Sequence, residues 1–351
     1  MQVQRWAVMA LAVITWMLPA LSGDGATLIP GSALREPSGT SSGTSSGNIE
    51  KVTPTPEPAP SGPVPAGGDL RALAKGSGST TDVTSSDQLA QAIAAARPGD
   101  TIRMAAGTYS PVVISSSGTA EKPITLTGPA DAVITGRGKG YALHMNGASY
   151  WQLVGFGVSG GGKGVMLDHV RHTLLDSLTV GRSGDEAVHF RTNSSDNTIQ
   201  RSTIHDTGLD QPQYGEGVYV GSARSNWKKI TGGQPDLSMN NRVVGNTFQK
   251  ITAENVDVKE GTAGTWISGN RFDGSATSGE NYADSIVDVK GHDTTVIDNI
   301  TTGNSPALKN IIETHVITDK ATSGCGNTIE GNTTQGFTPE GAEVAMDKKC
   351  G

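Results

Sequence analysis

Read for apolar and polar positions, the chain shows short alternating runs rather than helical periods. Written beneath one another, "ALHMN", "GVMLD", "AVHFR", "GVYVG", "NVDVK", "IVDVK" and "IIETH" each place apolar residues around a central outward position. Those centres are His144, Met166, His189, Tyr219, Asp257, Asp288 and Glu313, at steps of 22, 23, 30, 38, 31 and 25 residues. Strand side chains alternate between faces, so each run has one apolar side to bury. Twenty-two residues hold one coil of three short strands and three turns, and longer steps hold a loop inserted into that coil. A coil this small cannot bury its own apolar side, whereas stacked coils share a continuous core. The pattern predicts an all-β fold, a single right-handed parallel β-helix. Before it, "SSDQLAQAIAAARPGD" carries a Ser or Asp cap, apolar Leu89, Ala92, Ile93 and Ala96, and a Pro98-Gly99 stop, which predicts a capping helix over Gln88–Ala96. Asn or Asp recurs two residues before an apolar one at Asp176/Leu178, Asn197/Ile199, Asn246/Phe248 and Asn270/Phe272, predicting a stacked side-chain ladder.

Composition refines this frame. Glycine supplies 47 of 351 residues, near double the usual ~7%, and aromatics only 5%, as expected of many tight turns around a core of small and branched side chains. Residues 1–23 read as a secretory signal peptide: Arg5 precedes an apolar run from Trp6 to Leu21, too short for a comfortable span. Residues 24–79, rich in Gly, Ser, Thr and Pro, read as a disordered linker, and residues 80–351 as the β-helix domain. This organisation predicts a secreted, extracellular, monomeric protein with no membrane insertion after cleavage. In an exported chain the two cysteines, Cys325 and Cys350, predict a disulfide holding a C-terminal cap. A formal charge of -7 argues against a nucleic-acid partner.

The candidate chemistry lies in a repeat. Val-Asp-Val-Lys occurs at 256–259 and again at 287–290. Aligned on neighbouring coils, Asp257 lies over Asp288 and Lys259 over Lys290, about 4.8 Å apart and facing outward. Stacked carboxylates attract a cation, and stacked ammonium groups weaken each other's hold on a proton, so a lysine here is a candidate base. A salt-bridge checkerboard that merely solubilises the sheet is the alternative. Ionisable residues in the outward columns of neighbouring coils favour chemistry, as do the long inserts at 208–216, 222–239 and 273–285. The Gly-rich turn at 160–164 lacks the spacing of a phosphate loop, and His172 and His205 read as turn residues.

At these residues the chain resembles the pectin-lyase-like superfamily, and within it the alginate lyase and chondroitinase B family. "QLAQAIAAARPGDTIRMAAGTY" followed by "PITLTGP" looks like that family's opening, and "NTFQKITAENVDVKEGTAGTWISGNRFDG" like its catalytic coil. There a metal-binding Glu precedes a catalytic Lys by five positions, the spacing of Glu254 and Lys259. Thr252 and Lys290 stand where the family tends to place a second Glu and an Arg. The resemblance implies β-elimination on an acidic polysaccharide containing uronic acid, with Lys259 as base and Lys290 or Arg191 holding the sugar or its enolate. It also implies a Ca²⁺ held among Glu254, Asp257, Asp288, Glu216 and Asp284. Tyr219, His189, Trp227, Tyr282 and His315 are candidate sugar contacts. A glycoside hydrolase using paired carboxylates, and a non-catalytic carbohydrate- or surface-binding solenoid, are the alternatives on this scaffold.

Overall fold

The computed structural model describes residues 70–318 and 323–350. The segments read as signal peptide and as most of the linker lie outside the described residues. Among those described, no helix is long and apolar enough to cross a membrane.

Strands as short as three residues recur three to a coil, one for each of three parallel sheets of ten, nine and nine strands. One coil runs Trp151–Val154, Gly157–Gly160 and Lys163–Asp168, and the next coil pairs each of these in register. The third sheet carries the column foreseen from the sequence. His144 pairs with Met166, then His189, Tyr219, Asp257, Asp288 and Glu313 in succession. Parallel crossovers of this kind are right-handed. The alternating partners of these residues, Val165, Leu167, Val188, Phe190, Val218, Val220, Val256, Val258, Val287 and Val289, are all buried inside the coils. Each buried side chain of this size contributes about 1.5–3 kcal/mol.

The turns repeat as strictly as the strands. At one corner Tyr150, His172, Asp196, Asn240, Gly264 and Asp293 all take positive φ, between 52° and 67°. Each donates its amide to a carbonyl of the next coil. His172 is one of these turn residues and stacks on Tyr150 at 4.8 Å. The Asn ladder splits between two corners. Asn246, Asn270, Asn299 and Asn332 bond amide to amide at 3.1, 2.9 and 2.8 Å, while Asn197 and Asn241 pair separately at 3.1 Å. Asp176 belongs to neither, because it points outward from the first sheet and binds Arg201 and Gln200.

The ends are closed by different means. The first-strand edge is covered by the helix Ser86–Ala95, capped by Ser85, whose side chain accepts from the Gln88 amide at 3.3 Å. Leu89 and Ile93 fill the core from it. At the other end Val344–Ala345 adds a strand to the third sheet, and Cys325 and Cys350 are joined, with Cα atoms 5.4 Å apart. One stretch departs from the linker expectation: the described part of it lies against the first sheet. The Arg71 amide donates to Gln200 Oε1 at 2.8 Å and its carbonyl accepts from Gln200 Nε2 at 2.9 Å. Gln152 repeats the pair with Ala74, at 2.6 and 2.8 Å. Side-chain amides here stand in for a strand's backbone, giving a polar segment partners that composition alone does not show.

Candidate active site

The long inserts rise on both sides of the third sheet. Segments 206–217 and 274–284 enter that sheet, and 221–241 leaves it. Between them lie two adjoining hollows of about 590 and 600 Å³, which share Glu216, Lys259 and Asn281. The walls are pinned by polar contacts. Asp236 accepts from the Thr192 and Asn193 amides and from the Ser222 and Ser238 hydroxyls at 2.7–2.9 Å. Glu260 accepts from the Arg224 amide at 2.5 Å. Trp227 donates its indole N–H to the Ser222 carbonyl at 2.8 Å and packs over Gly261. It therefore helps to hold that wall in place. Tyr282, by contrast, is 86% exposed at the rim of one hollow, next to Asn281, and both have positive φ. Two successive non-glycine residues in that region mark a strained, held segment.

On the floor the repeated Val-Asp-Val-Lys forms a bonded network. Lys259 binds Asp257; Lys290 binds Asp288 and reaches Asp257 at 3.4 Å. The vertical stacking holds, but its electrostatic consequence is the opposite of the expected one. Burial pulls the Lys259 amine down, and the carboxylates of Asp257, Asp288, Glu254 and Glu216 outweigh it and raise it above an ordinary lysine. The same balance raises Lys290, through Asp257 and Asp288. Lys259 does pull Lys290 down, but Asp257 and Asp288 outweigh it, because each ammonium lies close to a carboxylate. Lys259 is thus held in its charged form by the carboxylates around it.

The proposed metal ligands divide. Glu216, Glu254 and Asp257 each bring an oxygen within 4.8 Å of the others, all buried. Burial, Glu186 and Asp257 push the Glu216 carboxyl up to about 8. Burial, Asp257 and Glu216 likewise hold Glu254 well above its usual range. Asp288 instead faces Lys290 and, at 3.7 Å, His315. Asp284 accepts from Lys309 at 2.6 Å.

Above Asp257 in the same column stands Tyr219, with the Lys259 ammonium 5.0 Å from its ring centre. Burial, followed by Asp257, Glu216 and Glu186, keeps its phenol protonated well beyond the usual value. His189, the next residue in the column, meets the Tyr219 ring edge-to-face at 4.3 Å. Both its nitrogens are committed, to Glu186 at 2.8 Å and to the Gly221 carbonyl at 2.7 Å, so it has no nitrogen for a sugar. Arg191 lines the same hollow but is locked bidentate to Asp168 at 2.8 Å through two nitrogens. It belongs to a structural cluster two coils from Lys259. His315 lines the other hollow and binds Glu313 at 2.9 Å. Lys163, from the Gly-rich turn, binds Glu186 and Asp185. Sequence reasoning passed over Asn281, and over Lys163 and Asp236, which bond to groups 22 and 44 residues away that no local spacing announces.

Comparison with known proteins places this geometry. The Chondroitinase B family model matches residues 83–155, the capping helix and first coils. No curated protein sequence matches the chain significantly. The crystal structure of pectate lyase Pel9A shares the fold at 14% identity, with a TM-score of 0.50 over 72% of each chain. The crystal structure of an alginate lyase from Paenibacillus sp. str. FPU-7 matches with a TM-score of 0.68 and 32% identity, covering 77% of this chain and 98% of that one. With that identity running through nearly the whole of an enzyme built on the same coils, the chain belongs to the parallel β-helix polysaccharide lyases.

Proposed function

We propose that this lyase is exported and cleaves a uronic-acid polymer by β-elimination, with Tyr219 and Lys259 exchanging the two protons. The observation that carries the reading is their juxtaposition, 5.0 Å from ammonium to ring centre, at the point where the two hollows meet. Elimination removes the proton beside the sugar carboxylate, forms a carbon–carbon double bond, breaks the bond to the glycosidic oxygen and leaves that oxygen needing a proton. Lys259, whose ammonium lies beside the Tyr219 ring in the groove, is the group placed to give that proton. This reverses the role that stacked lysines suggested. Tyr219 is the neighbouring group that accepts the other proton as phenolate, after releasing its own phenol proton to solvent, and Lys290 adds positive charge on the far side of Asp257. The Paenibacillus relative is an alginate lyase, which makes alginate the first polymer to test here.

The three converging carboxylates fit a Ca²⁺ in donor type. They are hard oxygen ligands, they are buried, and the ammonium groups of Lys259 and Lys290 contact them through Asp257. Glu216, Glu254 and Asp257 would hold it. Bound there, the ion would supply positive charge to offset the sugar carboxylate and ease ionisation of the nearby phenol. The chain's own contribution is to hold Lys259, Lys290 and Tyr219 around that point, with the walls at 206–217, 221–241 and 274–284 keeping the polymer aligned.

The test is ultraviolet detection of unsaturated uronate from alginate, polygalacturonate and hyaluronan. The wild-type chain should act on at least one of them. Lys259→Ala and Tyr219→Phe should each lose on the order of 10²–10⁴-fold in kcat while remaining folded, with Lys259→Ala melting lower because it strands the buried Asp257 carboxylate. Full activity in Lys259→Ala would remove the assignment. Ca²⁺ should raise the melting temperature of the wild type and not that of Glu216→Gln; an equal response in both places the ion elsewhere.

A further inference from the structure

The outward column continues from Tyr219 to His189, and His189 is unusually constrained. Its Nδ1 faces Glu186 Oε1 at 2.8 Å and its Nε2 faces the Gly221 carbonyl at 2.7 Å. A carboxylate and a carbonyl are both acceptors, so a ring that satisfies both carries a hydrogen on each nitrogen and one positive charge. Glu186 is in turn held by Lys163, and both Glu186 and His189 are buried. The locked ring meets Tyr219 at 4.3 Å and 73°, while the Lys259 ammonium approaches the same ring at 5.0 Å. The imidazole and the Lys259 ammonium thus both approach the Tyr219 ring, and Lys259 is held in turn by Asp257.

We propose that His189, clamped between Glu186 and the Gly221 carbonyl, is a positioning residue that fixes the Tyr219 ring and sets a positive charge against it during the lyase reaction. This rests on the assignment of Tyr219 as proton acceptor. Glu186, itself held by Lys163, and the Gly221 carbonyl fix the imidazole at both nitrogens. The bond to Gly221 registers the ring to the start of the 221–241 wall, so floor and wall are aligned through one side chain.

The experiment measures kcat and KM on alginate for the wild type, Tyr219→Phe, His189→Gln, Glu186→Gln and the Tyr219→Phe/His189→Gln double variant. His189→Gln should lower kcat by on the order of 10–100-fold with KM within about twofold. Glu186→Gln, which leaves a neutral acceptor in place, should lower kcat by about tenfold. Adding His189→Gln to Tyr219→Phe should cost less than about twofold more, because the residue acts through Tyr219. A full further loss in the double variant, or a rise in KM with kcat preserved, overturns the positioning role alone. A fully active Tyr219→Phe overturns the underlying assignment and this proposal with it. Should the His189 variant fail to fold, nitrogen-15 spectra of the wild-type ring decide: two ring N–H groups support the proposal, and one overturns it.

Discussion

At the scale of single residues, what matters is which charges found partners. Asp168 is a structural example in the same sheet. Burial works to raise its carboxyl, and Arg191, His144 and Thr192 together hold it well below the usual carboxylate range. A carboxyl lowered in the folded state adds stability above its unfolded value of about 3.9, and that stability is lost as pH falls through and below it. The melting temperature should therefore drop on acidification below about pH 4. Asp168→Asn should melt lower at pH 7, by about 3 kcal/mol of stability, because it strands Arg191. Its melting temperature should also change less across the acid range. A variant as acid-sensitive as the wild type would show that other carboxyls dominate. The sequence named Arg191 as a catalytic candidate because its column and charge were right. Only the Asp168 contact, 23 residues upstream, shows that the guanidinium is already occupied.

At the scale of elements, a coil is held by corners as much as by strands. Asn270 accepts from the Asn246 amide and side chain at 2.9 and 3.1 Å and donates to the Val243 carbonyl at 2.8 Å. Asn270→Ala leaves a buried N–H and a buried C=O unpaired, which should cost about 2–3 kcal/mol. That should lower the melting temperature by several degrees, at about 2–4 °C per kcal/mol for a large domain. A melt unchanged within a degree would mean that water replaces the ladder. The strand centres were legible in the sequence because a stacked coil repeats its apolar alternation and its turn residues at nearly fixed steps. Which Asn joined which ladder was not, since Asn197 and Asn246 look alike in sequence yet turn different corners of the coil.

For the whole molecule, the ends and the outer face contribute stability while the third sheet carries the candidate site. Cys325 and Cys350 are separated by 25 residues, and closing that loop contributes on the order of 3 kcal/mol in the chain-entropy model. Reduction should lower the melting temperature. Equal melts with and without reductant would mean that Val344–Ala345 and its neighbours hold the end unaided. On the first sheet, a chain beginning at Thr80 loses the Arg71 and Ala74 bonds to Gln200 and Gln152. It should melt lower than one beginning at Leu70 and retain lyase activity, because the segment lies on a different sheet from the groove. Lost activity at an unchanged melt would tie that segment to catalysis instead. The net charge of -7 does not prevent action on a polyanion. On the groove floor Lys163, Lys259 and Lys290 are interleaved with Asp185, Glu186, Glu216, Glu254, Asp257 and Asp288, so the local field is set by paired charges and not by the net charge of the chain.

The sequence by itself determined the solenoid, its capping helix, the disulfide pair and the vertical column from His144 to Glu313. Those features are written in alternation and spacing, and a stacked coil preserves spacing as register. The tertiary structure alone decided how that column works. It placed each ammonium of the Val-Asp-Val-Lys repeat on a carboxylate rather than on its twin, and gathered Glu216, Glu254 and Asp257 while giving Asp284 to Lys309. It also set Tyr219 between Lys259 and a locked His189. Proton affinity in a buried site depends on distances of a few ångströms between groups from different coils, and a linear pattern carries the order of those groups but not their separation.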